Sequence, residues 1–132
     1  MQVTEPLLML DPERSVLVLQ AIRSLGVTSR ITEFGAQYVT LAYLKRFSVD
    51  GMTLETDLLS TVDSDPVQRQ VVAAVISLGH VLESDVRATG VSSPEQRARL
   101  VKLECDTIQG PLVSPPLSPA EFGEFWDAHR AA

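Results

Sequence analysis

Three glutamates in this sequence could act together as ligands of a metal ion. Glu5, Glu33 and Glu55 each lie at or near the carboxyl end of a segment that reads as a short β-strand. Parallel strands end at the same edge of a sheet, and carboxylate oxygens are the ligands that hard divalent cations prefer. A weak Mg²⁺ or Ca²⁺ site at these three side chains is therefore one interpretation. We favour the other, in which the carboxylates are solvated or are paired with basic side chains, namely Arg30, Lys45 and Arg87.

The single cysteine and the two histidines are not interpreted as catalytic. Cys105 has no second cysteine with which to form an internal disulfide, and a small buried side chain is its expected role. His80 falls within a predicted apolar helix and His129 lies near the end of the sequence. We find no plausible partner for either histidine.

Five short apolar segments alternate with amphipathic helices along the chain. The strands are expected at about residues 2–5, 28–34, 51–55, 85–89 and 106–109. This alternation is typical of a parallel α/β fold, and right-handed crossovers would curl five such units into a little over half of a β/α barrel. A complete barrel typically needs about 250 residues, so 132 residues can supply only part of one.

Helix starts carry clear chemical signals. Asp11 and Asp65 each precede a proline, which places a side-chain acceptor ahead of a residue with no N–H to satisfy. Ser93 and Ser118 begin Ser-x-x-Gln and Ser-x-x-Glu patterns, which predict capping boxes. The last predicted helix is expected to pack against the rest of the fold through its aromatic residues, Phe122, Phe125 and Trp126.

Composition excludes several classes of function. With 45% hydrophobic and 21% charged residues, the chain is predicted to form one globular domain over residues 1–132. The net charge of −6 argues against a nucleic-acid polymer as partner. No apolar stretch approaches ~18 residues and no signal peptide is recognisable, so neither membrane insertion nor secretion is expected. A cytoplasmic location follows.

Five short motifs resemble, in order and spacing, the second part of an EAL domain, the bacterial module that hydrolyses cyclic di-GMP. They are Val3-Thr4-Glu5, Thr32-Glu33-Phe34-Gly35, Met52-Thr53-Leu54-Glu55, Ala88-Thr89-Gly90-Val91 and Gln109-Gly110-Pro111-Leu112. The resemblance runs from Val3 to about Phe125. It implies an α/β fold, a partial TIM-like (β/α) barrel containing about the last five β/α units of an EAL barrel.

The resemblance also implies where a site would lie. EAL enzymes hold two divalent cations with carboxylates and an asparagine at strand ends, and these cations activate water for attack on the phosphodiester. By resemblance, Glu5, Glu33 and Glu55 occupy metal-ligand positions, and Gln109 and Gly110 occupy ligand-binding positions.

Most of the family's remaining site residues are replaced. Thr32 stands at the first aspartate of the Asp-Asp-Phe-Gly motif, and Thr53 at the lysine of Lys-Ile-Asp. Thr89 and Ser92 stand at the two glutamates of Ala-Glu-Gly-Val-Glu. The loss of one transition-state stabilising group commonly costs ~10² to 10³ in rate, so we predict no phosphodiesterase activity for this chain alone.

The loop that follows Phe34 is altered as well. The family usually has Gly-Thr-Gly-Tyr-Ser-Ser, whereas residues 35–40 read Gly-Ala-Gln-Tyr-Val-Thr. In the family this loop couples dimer contacts to metal binding, and we do not expect that coupling here.

Three functions remain open on this basis. The leading prediction is an inactive EAL-like regulatory or protein-interaction module of cyclic di-GMP signalling, in which a protein partner or a second copy covers the unpaired edges and apolar core of the open barrel. The second is a sensor that binds cyclic di-GMP through Gln109 without cleaving it. The third is a truncated relic or fragment of a phosphodiesterase, because Met1 falls just before a strand.

Overall fold

Five parallel strands form one sheet whose spatial order, β1-β2-β3-β4-β5, follows the chain. The computed structural model describes residues 1–34 and 40–130. Its strands are β1 Gln2–Thr4, β2 Arg30–Thr32, β3 Gly51–Leu54, β4 Asp85–Ala88 and β5 Thr107–Ile108. Its helices are α1 Glu5–Leu10, α2 Pro12–Ser24, α3 Leu41–Phe47, α4 Thr56–Leu59, α5 Pro66–Val81, α6 Pro94–Lys102 and α7 Pro119–Arg130. The predicted parallel α/β order is confirmed, while the short helices α1 and α4 were not predicted.

The helices cover one face of the sheet, which we call the outer face. Successive strand residues point to opposite faces, and Ile31, Met52 and Val86 are in register on the outer face. They belong to two apolar clusters formed with the helices. One contains Leu8, Val16, Leu19, Ile31, Leu44, Phe47, Val49 and Met52, and the other Leu54, Leu59, Val62, Val72, Ile76, Val86, Ala88, Val91 and Leu100.

The opposite face, which we call the inner face, carries polar side chains. The residues that alternate with the apolar ones are Gln2, Thr4, Arg30, Thr32, Gly51, Thr53, Asp85, Arg87 and Thr107. Branched apolar side chains usually fill the interior of a β/α barrel. The prediction that the open barrel would expose an apolar core is therefore wrong for this face of the described sheet.

The predicted helix caps are confirmed. The side chains of Asp11 and Asp65 accept from backbone N–H groups at 3.1 and 2.8 Å. Ser93 forms the predicted capping box, and Ser118 makes the corresponding pair of hydrogen bonds with its glutamate. Local sequence chemistry thus determines where these helices begin.

The prediction that α7 packs against the rest of the fold through its aromatic residues is wrong. None of its residues is buried, and the side chains of Phe122 and Trp126 are 53% and 54% exposed. These two rings stack on each other, with centroids 6.2 Å apart. Phe125 is half-buried, so two of the three aromatic side chains of α7 remain on the surface of the described structure.

The histidines have partners that sequence inspection missed. His80 Nε2 lies 3.0 Å from Asp106 Oδ2, which also accepts from the Val86 N–H at 2.7 Å. Burial tends to raise the pKa of Asp106, but these hydrogen bonds hold it below its usual value. His129 Nδ1 lies 3.1 Å from the Phe125 carbonyl oxygen.

Cys105 is half-buried, and burial raises the pKa of its thiol. Among the helices in residues 1–34 and 40–130, none has the length and apolarity needed to cross a bilayer.

Candidate functional site

The first predicted metal ligand is enclosed by the fold. β1 ends at Thr4, and Glu5 is the first residue of α1. The Glu5 side chain is only 1% exposed, so it is neither a freely solvated carboxylate nor part of a surface cluster. The short helix that follows β1 fixes its position at the carboxyl end of the sheet.

Glu33 and Glu55 are brought together at the same end of the sheet. Both line an open cavity of about 340 Å³, together with Thr56 and Asp57. Glu33 is exposed and has a left-handed backbone, with φ of +55°, a conformation uncommon for residues other than glycine. Glu5 is not among the residues that line this cavity.

Thr89 links β4 to the end of β3 next to Glu55. Its hydroxyl lies 3.1 Å from Glu55 Oε2 and 3.1 Å from the Leu54 carbonyl oxygen, and its N–H donates to that same carbonyl at 2.9 Å. Thr89 stands at a glutamate position of the motif described above. The neutral Thr89 hydroxyl therefore donates to the Glu55 carboxylate, at a position where the family has a second carboxylate.

Two further threonines replace charged groups on the inner face. Thr32 Oγ1 lies at 3.5 Å from the Val3 carbonyl oxygen, the limit of a hydrogen bond. Thr53 is 1% exposed, and within the described structure its hydroxyl has no hydrogen-bond partner. Burying a hydroxyl without a hydrogen-bond partner lowers stability. The Thr53 hydroxyl is therefore a source of instability within the described structure.

Gln109 and Gly110 follow β5 and lie in a different cavity from the glutamates. This cavity, of about 450 Å³, is lined also by Val113, Phe122 and Phe125. The Gln109 backbone is fixed to β4, since its N–H donates to the Ala88 carbonyl at 2.8 Å, while the residue itself is exposed. A Cβ on Gly110 would lie 2.3 Å from the Val91 carbonyl oxygen, so only glycine fits there.

The donor set does not fit a pair of divalent cations. Each hard cation requires about six oxygen ligands, and two-metal sites need several anionic oxygens close together. In the part of the chain that the structure describes, no three His, Cys, Asp or Glu side chains are grouped so that they could hold a metal. Glu5, Glu33 and Glu55 thus remain predicted ligands, with no common coordination centre in the described residues.

The basic residues considered as partners for these glutamates are engaged differently. Arg30 forms an ion pair with Asp85 and donates to the Met52 carbonyl oxygen at 2.9 Å. Gly51 provides the space for this guanidinium, because a Cβ there would lie 2.5 Å from Arg30 Cζ. This ion pair lies at the amino-terminal end of the inner face and was not predicted from the sequence.

Lys45 and Arg87 form no ion pair with these glutamates within the described residues. Lys45 belongs to the last turn of α3. Arg87 Nε donates to Thr107 Oγ1 at 3.4 Å. The loop at residues 35–40 falls largely on residues 35–39, which lie outside the described residues. The prediction that this loop does not couple dimer contacts to metal binding therefore stays a prediction.

The comparisons with known proteins identify the family. The model of the EAL domain matches residues 1–116. Cyclic di-GMP phosphodiesterase NbdA of Pseudomonas aeruginosa is 33% identical over 130 residues, which is 98% of this chain and 17% of NbdA. This chain belongs to the EAL domain family.

Solved structures agree with this assignment. The EAL domain of Mycobacterium smegmatis DcpA superimposes with a TM-score of 0.84 at 28% identity, over 93% of this chain and 55% of that one. Klebsiella pneumoniae BlrP1, solved with manganese and cyclic di-GMP, gives 0.79 at 30% identity, over 87% of this chain and 29% of BlrP1. The chain thus spans about half of a solved EAL domain, and the predicted fold, a partial TIM-like barrel, is confirmed.

Proposed function

We propose that this chain is a catalytically inactive EAL module of cytoplasmic cyclic di-GMP signalling, which acts through contacts with protein. The observation that carries the proposal is the set of three threonines on neighbouring strands. Thr32, Thr53 and Thr89 present neutral hydroxyls on or just after β2, β3 and β4, where the EAL motifs have two carboxylates and a lysine.

Charge explains why these replacements bear on catalysis. Hydrolysis of a phosphodiester by two cations depends on anionic ligands that hold the metals and on a cation that offsets phosphate charge. A threonine hydroxyl carries no charge and is a poor substitute for either group. Several stabilising groups are replaced together, and the loss of one of them commonly reduces the rate by ~10² to 10³.

Turnover tests the inactive state. The folded chain is incubated with cyclic di-GMP in Mg²⁺ and in Mn²⁺, with NbdA as a positive control, and the linear dinucleotide product is measured by chromatography. We expect no product above the buffer blank. Product that increases in proportion to the concentration of the chain and disappears with EDTA would overturn the proposal.

Exposed apolar side chains at both edges of the sheet support a role in protein contact. Beside β1, Leu7 and Leu10 are 57% and 81% exposed, and an apolar groove of about 400 Å³ separates α1 from α2. Near β5, Phe122 and Trp126 expose their rings. Unpaired strand edges and apolar patches of this kind are usually covered, and we propose a second copy of this chain as the cover.

Sedimentation velocity tests this self-association. We expect the weight-average sedimentation coefficient to rise with protein concentration, and to rise less in the variants Leu10→Glu and Trp126→Glu. Asp127→Lys serves as a control for changed charge on α7. A folded chain that stays monomeric at high concentration would contradict association between copies and leave a different protein as the partner.

A further inference from the structure

The two edges of the sheet carry apolar surfaces of different shape. Beside β1, a groove of about 400 Å³ is lined by residues of α1 and α2 together with Val3 of β1; we call it the α1–α2 groove. Beside β5, α7 exposes the rings of Phe122 and Trp126. One edge is thus concave and apolar, and the other presents a pair of aromatic rings.

The α1–α2 groove can accept an apolar side chain without stranding polar groups. The Ser15 hydroxyl, which lines it, donates to the Leu8 carbonyl oxygen at 3.0 Å. The Asp11 carboxylate accepts from the Arg14 N–H at 3.1 Å. Arg14 is exposed, so its guanidinium can stay in water while its aliphatic stem lies along the groove. Filling the groove therefore leaves these hydrogen bonds intact.

The rings of α7 are suited to enter such a groove. Phe122 and Trp126 are four residues apart, so they share one side of the helix, and their centroids lie 6.2 Å apart. Phe125 is half-buried and lines a cavity with Ile108 of β5, which positions α7 beside its own sheet. Aromatic side chains that fill a pocket commonly contribute a large share of the energy of an interface.

The order of the elements brings the two surfaces together when copies meet edge to edge. In a parallel β/α fold, a helix that follows a strand packs back onto the sheet between that strand and the next. α7 follows β5, and within residues 1–34 and 40–130 no further strand follows it. The α1–α2 groove lies beside β1, where a helix preceding β1 would pack. The α7 of one copy therefore fits the position that is open beside β1 of another.

We propose that α7 of one copy packs Phe122 and Trp126 into the α1–α2 groove of a second copy. The contact is heterologous, because a different surface of each copy takes part. Two such contacts, related by a twofold axis, place β5 of each copy beside β1 of the other and close a ring of ten parallel strands. The proposal rests on the proposed function, since it specifies how the copies associate.

The polar inner face favours a second copy as the occupant. An eight-stranded barrel fills its interior with branched apolar side chains, whereas this inner face carries the Arg30–Asp85 ion pair and a row of threonines. A ring with more strands is wider, so ten strands leave room for water beside these polar side chains. A second copy also has a suitable size, because this chain spans about half of a solved EAL domain.

The area of the contact indicates a reversible dimer. An aromatic side chain buries about 150–250 Å² when it is enclosed, and about half of each ring is still exposed here. The four rings of a closed dimer therefore bury roughly 300–500 Å² more, and the facing grooves lose a similar area. Stable complexes bury about 1,200–2,000 Å², so association should depend on protein concentration.

Complementation between two variants tests the proposal. Leu10→Glu damages the groove, and Trp126→Glu damages α7. A dimer of either variant alone has both of its contacts damaged. An equimolar mixture keeps one sound contact, because α7 of the Leu10→Glu chain meets the groove of the Trp126→Glu chain. Sedimentation velocity compares the variants and the mixture at one total concentration, at which the unsubstituted chain is mostly dimeric.

The matched control is Val67→Glu. Val67 is a 67% exposed residue of α5 that lines neither the groove nor the cavity beside β5, and circular dichroism confirms that each variant is folded. Leu10→Glu and Trp126→Glu should each weaken the dimer by roughly 10-fold or more, as expected for a residue at the centre of an interface. The control should sediment like the unsubstituted chain, and the mixture should lie between monomer and dimer.

Three results would overturn the proposal. The first is a mixture that sediments like the separate variants, because contacts between like surfaces cannot be restored by mixing. The second is equal weakening of the dimer by Val67→Glu. The third is growth beyond a dimer, which would contradict a closed ring. An unsubstituted chain that stays monomeric would instead contradict the self-association in the proposed function, so the two failures are distinguished.

Discussion

The two faces of the sheet differ in almost every physical respect. The outer face buries Met52, Leu54 and Val86 completely beneath the helices. The inner face carries threonines, the Arg30–Asp85 ion pair and a buried hydroxyl without a partner in the described structure. The apolar side chains of the outer face are buried by helices of the same chain. The inner face instead presents polar side chains, and no helix of the described structure covers it.

This difference explains how the family fold persists where residues of the family's motifs are replaced. The outer clusters require apolar side chains of the right volume, and they are independent of the residues that follow each strand. Threonine can replace aspartate, lysine or glutamate on the inner side of a strand without disturbing the outer clusters. Fold and catalysis are therefore determined by different residues of the same strands.

The largest effect should come from the outer face. Ile76 is 1% exposed and lies in the cluster between α5 and the sheet, so Ile76→Ala should lower the free energy of unfolding by ~2–5 kcal/mol, because it removes buried methyl groups and leaves a cavity. Urea denaturation measures the change. Leu17→Ala, at a side chain that is 67% exposed, is the control and should have little effect. Equal losses of stability in the two variants would show that Ile76 is not more buried than Leu17 in solution.

An intermediate effect is expected for the ion pair of the inner face. Arg30→Met removes a partly buried charge and its hydrogen bonds to Asp85 and the Met52 carbonyl. Unfolding should become easier by ~1–3 kcal/mol, because acceptors are left unpaired. The same urea experiment with Arg97→Met provides the comparison, and unchanged stability of Arg30→Met would mean that water satisfies these acceptors.

A smaller change of opposite sign is expected at Thr53. Thr53→Val keeps the shape of the side chain and removes the hydroxyl that lacks a partner in the described structure. The free energy of unfolding should rise by ~1 kcal/mol, whereas Thr53→Ser should not stabilise the chain. A loss of stability in the valine variant would indicate that the hydroxyl is hydrogen-bonded in solution.

The smallest effect should come from a surface pair that belongs to neither face. The Arg46 guanidinium, which contacts Glu13 Oε2 at 2.6 Å, lowers the pKa of Glu13 to about 2, with a further contribution from the Tyr43 hydroxyl. A lowered carboxyl pKa contributes stability above its ordinary value of 4.5 that is lost as the pH falls toward 2.

Melting temperatures of Glu13→Gln and of the unsubstituted chain between pH 2 and 7 test this. The small difference at pH 7 should disappear toward pH 2, whereas Glu124→Gln, at an exposed residue of α7, should follow the unsubstituted chain throughout. A difference that does not change with pH would show that the carboxylate charge is not involved.

Local chemistry made most of the fold predictable. Aspartate or serine ahead of proline indicated four helix starts, and the order of apolar segments indicated a parallel sheet. The contacts across the sheet could not be predicted in this way, because they depend on register. The Arg30–Asp85 pair joins residues 55 positions apart, and the His80–Asp106 contact depends on how α5 packs beside β4 and β5.

The candidate site was predictable only as a set of positions. The motifs indicated that Glu5, Glu33 and Glu55 would lie at or near the carboxyl ends of strands, and in the structure each directly follows one. Thr4 and Pro6 are compatible with a helix start, but they do not indicate that the Glu5 side chain would be enclosed. Likewise, the motif that includes Thr89 gave no sign that its hydroxyl would contact Glu55.

Electron paramagnetic resonance of Mn²⁺, with and without cyclic di-GMP, tests most directly whether the folded chain assembles a pair of metal ions. We predict that the folded chain binds no pair of Mn²⁺ ions, so that the spectrum remains that of free or singly and weakly bound ions. A signal from two coupled Mn²⁺ ions, which in two-metal sites lie ~4 Å apart, would contradict this prediction, because it would show that the remaining glutamates and threonines still assemble the catalytic metal centre.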